Sequence, residues 1–458
     1  MNLKIKAAYD PGFTPIIKYF EEYAADVQAA PHKTIGISVV RNKGYIHTMK
    51  LPVFEDGYAD ERNFAVVERI VKTFLWVYGG YKIIISGSKP IYEHIAKTYS
   101  KTGARAFDND FMSGVYETEF CFEYIEKVED APETAESAAP VGRHLDGCRI
   151  GFDAGGSDVK VSAVVDGESI YSEEIIWHPK KQSDPKYHFD GIRNAMLKAA
   201  EKMPRVDGIG VSSAGVYIDN RAMVASLFMS LSPEDKKKCQ NIYLDVAKSI
   251  GDMPIEVAND GDVTALAGAM DLDDVNVLGI AMGTSEAGGY VDGNGNITGW
   301  LNELAFVPVD MNPEALVDEW SGDVGCGVKY FSQDSVIKLC PAAGIELDES
   351  LTLAEKLKYV QDLHAAGDKR TEGIYQTIGV YFGYQIAWYA QFYDIKHVLI
   401  MGRVTSGEGG KTLLKTAEEV LKAEYPELAA KVTLHIPDEA SRRVGQSVAA
   451  ASLPVISR

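Results

Sequence analysis

The chain of 458 residues is too long for one ordinary domain, and 46% hydrophobic residues give it the apolar content for two or three cores. A formal net charge of -20 argues against nucleic acid or an anionic membrane as a general partner, since both repel an acidic surface. The five cysteines, Cys121, Cys148, Cys239, Cys326 and Cys340, contain no C-x-x-C pair and signal neither a disulfide framework nor a zinc knuckle. No apolar run reaches spanning length and the start, MNLKIKAAYDPGF, lacks a signal-peptide core, so a cytoplasmic setting is the expectation.

In chain order, TIGISVVRNKGYIHTMKL (34–51) reads as two strands joined at Asn42-Lys43-Gly44. A helix with Phe64, Val67, Val71 and Phe74 on one face follows, and then a short buried strand from Lys82 to Ser86. The acidic, Ala/Pro-rich EDAPETAESAAPVGRHLDG is without periodicity and reads as a linker. Residues 1–130 are therefore an expected N-terminal α/β domain without a catalytic signature, serving as a regulatory, oligomerising or substrate-lid module, and 131–147 the expected linker. A winged-helix DNA reader is disfavoured by the β-rich start and the charge.

The stretch IGFDAGGSDVKVSAVVDGE, Ile150 to Glu168, is the centre of the second part. Apolar residues run into Asp153, the chain relaxes through Gly155 and Gly156, and an alternating strand leads to the hairpin pair Asp166-Gly167. Adjacent glycines let backbone N–H groups approach a phosphate without a Cβ in the way, and a strand-end aspartate can hold a hydrated Mg²⁺. Asp-Ala-Gly-Gly-Ser alone is also an ordinary turn, so the rest of the chain decides. Gly208 to Val216 reads as a strand and glycine turn, and a helix over about 241–250 leads to a strand at Ile255 to Ala258 that delivers Asn259-Asp260-Gly261-Asp262. A buried strand from Val275 to Met282 opens into GTSEAGGYVDGNG, and another from Val398 to Met401 ends in GRVTSGEGG and a helix from about Lys411 to Ala423. Three glycine-rich turns at the ends of apolar strands describe an ATP cleft between two lobes, with two turns on the phosphates and the third under the nucleoside.

These residues resemble the ROK sugar kinases of the actin-hexokinase superfamily, from about Arg149 to the C-terminus and in family order. Asp153-Ala154-Gly155-Gly156-Ser157 resembles the first phosphate motif, with Lys160 in the strand after it, and Gly283-Thr284-Ser285-Glu286-Ala287-Gly288-Gly289 the second. VANDGDVTALAG is similar to the segment around the family's N-D pair, Met401 to Ser406 to the adenosine turn, and Val444 to Ser452 to the closing helix. The resemblance implies a two-lobed actin-like/hexokinase (ribonuclease H-like) ATPase fold in the α/β class, with one lobe over 148–265 and a C-terminal helix at 440–458, and the other over 266–439.

It also implies the chemistry, which is phosphoryl transfer from MgATP to a sugar hydroxyl. Asp260 would accept the proton, with Asn259, Asn302 and Glu303 on the carbohydrate substrate. Asp153 would hold Mg²⁺. Gly155, Gly156, Ser157, Lys160, Gly283, Thr284, Ser285, Gly288 and Gly289 would hold the phosphates, and Gly402, Arg403 and Ser406 the adenosine. The alternative for Asp260 is that it caps a helix beginning near Val263.

The departures cluster on the sugar side. Asn302-Glu303-Leu304-Ala305-Phe306 keeps the family's carboxylate without its histidine. Gly322-Asp323-Val324-Gly325-Cys326 reduces the cysteine-rich loop and argues against structural zinc, and Val328 and Phe228 stand where hydrogen-bonding residues are expected. Each unmet buried hydroxyl costs about 1 to 3 kcal/mol, so plain glucose is disfavoured. Trp300, Asn302, Trp320, Ser321 and Asp323 either rebuild the pocket or belong to the core. Glu286 puts a carboxylate in a phosphate turn, tolerable if it points away or holds Mg²⁺. Ile374, Ile378, Phe382 and Ile386 recur at helical spacing beside Gly379 and Gly383, on a helix that is either lobe core or a homodimer face. Two functions remain, an ATP-dependent carbohydrate kinase and a non-catalytic nucleotide or sugar sensor of the same fold.

Overall fold

The computed structural model describes residues 2–137, 140–156, 158–437 and 439–456. The chain divides into two compact units, one of Met1–Ser137, Ile280–Gly288 and Trp300–Ile436, the other of Ala138–Gly279, Gly289–Gly299 and Pro437–Arg458. The division falls inside the expected linker, but residues 1–137 share their unit with the later segment instead of forming a body of their own. No helix among the described residues is long and apolar enough to cross a membrane.

The unit containing Asp153 is built on a five-stranded sheet in the order 255–259, 208–213, 148–154, 158–165, 168–176. Strands Cys148–Ala154, Gly208–Ser213 and Ile255–Asn259 run parallel, so their carboxyl ends lie on one edge, while Asp158–Val165 and Glu168–Ile176 complete an antiparallel meander through the tight turn at Asp166 and Gly167. Cys148–Ala154 is buried along its whole length, as expected of a strand covered on both faces. Helices Pro185–Ala200 and Ile242–Ile250 supply Ile192, Met196, Tyr243 and Val246 to a core with Phe152, Val161, Ile209 and Val211. Helix Glu439–Ala451 lies against the sheet at Gly151 and Gly210, where an added Cβ would stand 2.0 Å from the Ser447 carbonyl and 1.6 Å from that of Ala450. Only glycine admits that approach.

In the other unit, the expected hairpin is His32–Val40 and Ile46–Phe54, turning through Lys43 and Gly44 at positive φ. These strands belong to a four-stranded sheet that continues through Lys82–Ser86 to Cys121–Ile125. Helix Asp60–Val77 packs Val67, Val71 and Phe74 inward, and Phe64 stacks on His94 with centroids 4.2 Å apart. The N-terminal stretch is tied to the later segment of its unit by the Pro15 and Asp310 bridge and by Tyr78, whose hydroxyl donates to the Phe392 carbonyl. A second sheet orders Glu286–Val291, Val277–Met282, His397–Met401 and Thr433–His435, and its first two strands are each divided between the units. The long helix Lys369–Tyr389 lays Gly379 and Gly383 on helix Glu408–Glu424, where an added Cβ would stand 2.5 Å from the Leu413 carbonyl and 2.5 Å from the Val420 Cβ. That glycine face is packed within the chain's own core.

Candidate functional site

Parallel strands deliver Asp153, Ser212 and Asn259 to one edge of the five-stranded sheet. Asp153 is buried and its Oδ1 accepts a hydrogen bond of 2.7 Å from Ser212 Oγ on the neighbouring strand. Burial pushes its carboxyl up and the charge on Asp158 adds to this, while the Ser212 hydrogen bond and the Lys160 ammonium pull the other way. Lys160 faces Asp153 in the antiparallel register.

The turn after Asp153 is closed by its own glycines. A Cβ on Gly155 would stand 2.7 Å from the Asp158 carbonyl. Just past the end of strand Glu168–Ile176, Trp177 donates its indole N–H to the Gly155 carbonyl at 2.8 Å. Lys180 then brings its Nζ to 3.2 Å from the place a Gly156 Cβ would occupy. Lys180 was missed in the sequence, where PKK at 179–181 has no local mark of phosphate chemistry; only the docking of this turn places its charge over the glycines. Ser157, the remaining expected member of this turn, lies outside the described residues.

Asp260 is the first residue of helix Asp260–Asp271, three residues earlier than the expected start near Val263. The cap is Asn259, whose Oδ1 accepts from the Gly261 N–H at 2.7 Å while its Nδ2 donates to the Gly215 carbonyl at 2.7 Å. Both ends of the Asn259 amide are thus engaged by the protein. The half-buried Asp260 also accepts from Gly261 N–H, at 3.0 Å, and its carboxyl is pushed up to about 6 by burial and by the charge on Asp153. A chain of hydroxyls runs alongside: Tyr217 donates to Ser213 Oγ at 2.7 Å, and Ser213 Oγ and Tyr243 OH are 2.9 Å apart. Burial, Tyr243 and the Asp260 charge all raise the Tyr217 phenol, which keeps it a neutral donor. Tyr217 is a second neighbour that sequence reading missed. Gly289 packs on the same helix start, since its Cβ would stand 2.1 Å from the Gly261 carbonyl.

The other expected residues lie in the other unit. Gly283 N–H donates to the Ser285 carbonyl at 2.9 Å, leaving Thr284 and Ser285 exposed at the turn. Gly402, at φ 101°, would bring a Cβ to 2.4 Å from the Met282 carbonyl, so the second and third glycine turns are neighbours. Arg403 is exposed and opens a turn over Arg403–Thr405, with its carbonyl accepting from Gln361 Nε2 at 2.6 Å; Ser406 Oγ donates to the Gly402 carbonyl at 3.4 Å.

Glu286 points away from the turn. It is 2% exposed, accepts from Tyr389 OH at 3.1 Å, and its Oε2 lies 2.1 Å from where a Gly327 Cβ would be. Burial outweighs the Tyr389 hydrogen bond and raises its carboxyl to about 8. It is a neutral interior acid at pH 7, and Oε2 has no hydrogen-bond partner among the described residues.

Gly288 packs on this same interior, where a Cβ would meet the Leu304 side chain at 2.6 Å. Asn302, at φ 52°, is buried and its Oδ1 accepts from Tyr393 OH at 2.8 Å. Glu303 is half-buried, and its N–H donates to the Trp76 carbonyl at 2.9 Å. Of the further pocket candidates, Trp300 packs edge-on against Tyr78, Ser321 donates to Asp318, and Asp323 is gripped by Arg69 and Arg105. Trp320 is 78% exposed. Among the described residues no group of three or more His, Cys, Asp or Glu is arranged to hold a metal ion.

No family model and no curated protein matches the chain. Solved structures do. A ROK hexokinase from Thermus thermophilus matches with a TM-score of 0.50 at 18% identity, covering 66% of this chain and 97% of that one. A ROK family transcriptional regulator, a homologue of the E. coli MLC protein, matches with a TM-score of 0.50 at 18% identity, covering 67% of this chain and 79% of that one. At such identities the likeness is one of fold, and over 66% of its length this α/β chain carries the actin-like fold of the ROK hexokinases and ROK regulators.

Proposed function

We propose that this protein transfers the terminal phosphoryl group of ATP to a hydroxyl of a carbohydrate or polyol other than plain glucose. The observation that carries this reading is the state of Asp260, an acid at a helix start beside Asp153 whose carboxyl is raised to about 6. A base of that strength ionises below neutral pH yet still draws a proton. The acceptor oxygen bonds to the terminal phosphorus, the bond from that phosphorus to the β-phosphate oxygen breaks, ADP leaves, and the hydroxyl proton passes to Asp260.

Lys160, Lys180 and the amides of the Gly155 to Ser157 turn offset charge on the phosphates, as do Gly283, Thr284, Ser285, Gly288 and Gly289. Gly402, Arg403 and Ser406 receive the adenosine. Mg²⁺ carried in on nucleotide phosphates needs only one or two protein carboxylates, and Asp153, whose charge already raises its neighbour Asp260, fits a cation. Bound there, it would neutralise charge on the transferring group. Glu303 is assigned to the acceptor. Asn259 and Asn302 serve the acceptor side by fixing backbone, since the Asn259 side chain bonds Gly215 and Gly261 and that of Asn302 bonds Tyr393.

A second reading, a nucleotide or sugar sensor without turnover, is favoured by one observation: the fold likeness to a ROK regulator equals that to a ROK hexokinase. ADP release measured over sugars, amino sugars, sugar acids and polyols separates the two. Turnover with one acceptor class that is lost in Asp260→Asn is the expected result; nucleotide binding with no release on any acceptor favours the sensor.

A further inference from the structure

Residues 60–108 and 302–329, within one unit, are joined by buried charge. Asp323 is 2% exposed and accepts ion pairs from Arg105 at 2.7 Å, Arg69 at 2.9 Å and Lys72 at 3.4 Å. Lys72, 0% exposed, pairs in turn with Asp108 at 3.0 Å, and Arg105 reaches Glu68 at 2.7 Å. Burial works against the ionised forms of Glu68, Asp323 and Lys72, yet the pairing wins: Glu68 is drawn down to about 2, Asp323 is held well below the usual carboxylate range, and Lys72 is raised. Removing one partner would leave an uncompensated buried charge, so the arrangement behaves as a single clamp.

Trp76 links the clamp to the acceptor-side segment. Its indole N–H donates to Asp108, its ring lies 4.2 Å from Phe306 and 4.9 Å from Phe111, and its carbonyl accepts the Glu303 N–H. Beside it, one residue before Glu303 and one after Trp76, Asn302 N–H donates to the Val77 carbonyl at 3.0 Å. The last carbonyls of a helix have no intrahelical donor, and here the segment carrying Glu303 satisfies two of them. A second buried set ties the N-terminus to the same unit: Tyr330 donates to Asp310 at 2.6 Å, Tyr381 donates to Asp10, and Lys338 sits 3.5 Å from the Tyr330 ring centroid.

We propose that residues 1–137 are the positioning scaffold of the acceptor-side segment, with Trp76 as the positioning residue that fixes Glu303. This rests on the kinase reading only for what Glu303 contacts. The N-terminal stretch is then neither a detachable regulatory domain nor a nucleic-acid reader.

The test uses the full-length chain with Trp76→Phe, which keeps an aromatic ring and loses the N–H, and Asp108→Asn, which keeps the volume and loses the charge. The expected result is an acceptor KM raised roughly three- to tenfold, the equivalent of about one lost hydrogen bond, with kcat and the KM for ATP within about twofold of the parent. Amide hydrogen exchange over residues 302–306 should quicken in both variants while that of strand Cys148–Ala154 stays unchanged. An unchanged acceptor KM with unchanged exchange overturns the proposal, as does loss of protection throughout the chain in Trp76→Phe, which leaves the buried charges paired. If the parent transfers no phosphoryl group to any acceptor, the kinase reading falls, and the exchange measurement alone decides the positioning role.

Discussion

Replacing Asp260 by asparagine should remove activity and at the same time stabilise the protein at alkaline pH. The folded carboxyl titrates at about 6 against an ordinary 3.8, a gap equivalent to about 3 kcal/mol against ionisation. The group is half-buried, so solvent screening reduces the stability consequence to about 1–2 kcal/mol. Because the folded state holds this proton more tightly than the unfolded chain, its contribution to stability is present below pH 3.8 and is lost as pH rises through about 6. The helix start survives the substitution, since Asn259 remains the cap. Thermal unfolding of parent and variant between pH 3.5 and pH 8 should therefore show no difference at the acid end. Above about pH 7 the variant should lead by about 1–2 °C, the shift that about 1–2 kcal/mol makes in a chain of this length. Over the same range, kcat/KM of the parent should rise to a plateau with a midpoint near 6, and the variant should fall by about 10²- to 10⁴-fold. A variant that keeps parental turnover refutes Asp260 as the base. A variant destabilised at pH 8 refutes the claim that this carboxylate is held against an unfavourable environment.

Glu286→Gln should leave turnover at pH 7 within about twofold, because the parent residue is already neutral there. Its folded carboxyl, at about 8, contributes stability that is lost as pH rises, so the melting temperature of the parent should fall relative to the variant between pH 5 and pH 9; parallel curves would contradict its burial as an acid. Gly402→Ala places a Cβ against the Met282 carbonyl at a positive φ, a strain of about 1–3 kcal/mol, and should weaken nucleotide binding by roughly tenfold in a calorimetric titration. Parental affinity would show that this turn does not carry the nucleotide. Lys180→Met should raise the KM for ATP by about three- to tenfold at low ionic strength, with the difference shrinking in high salt as screening replaces the lost charge. A KM indifferent to both changes removes Lys180 from the phosphate site.

What could be read in advance was local. A glycine pair after an apolar strand, followed by alternation to Asp166-Gly167, fixes Asp153 at a strand end whatever the rest of the chain does, and strands Lys82–Ser86 and Ile255–Asn259 follow from β-branched runs bounded by turn residues. The helix starts at Asp260, three residues before the expected Val263, because Asn-Asp-Gly-Asp offers two good caps in a row and the side chain that caps it is Asn259. Glu286 illustrates the other limit. Its place in a glycine-rich turn left two options, pointing away or holding Mg²⁺, and the choice of the first is made by Tyr389 and Gly327, far away in sequence. The clamp on Asp323 is of the same kind, with partners more than 200 positions earlier and no periodicity to announce them. The composition change near Ser137 does mark a break between units, but it gave no sign that residues 1–137 pack with Trp300–Ile436.

The reaction itself is tested most directly by the fate of the terminal phosphoryl group. ATP carrying ¹⁸O in that group, incubated with the protein, Mg²⁺ and a mixture of sugars, amino sugars, sugar acids and polyols, can be followed by mass spectrometry. The account predicts label in the phosphate ester of one acceptor class, and none with Asp260→Asn. Label that stays in ATP, or appears in inorganic phosphate alone while the nucleotide is bound, would contradict it.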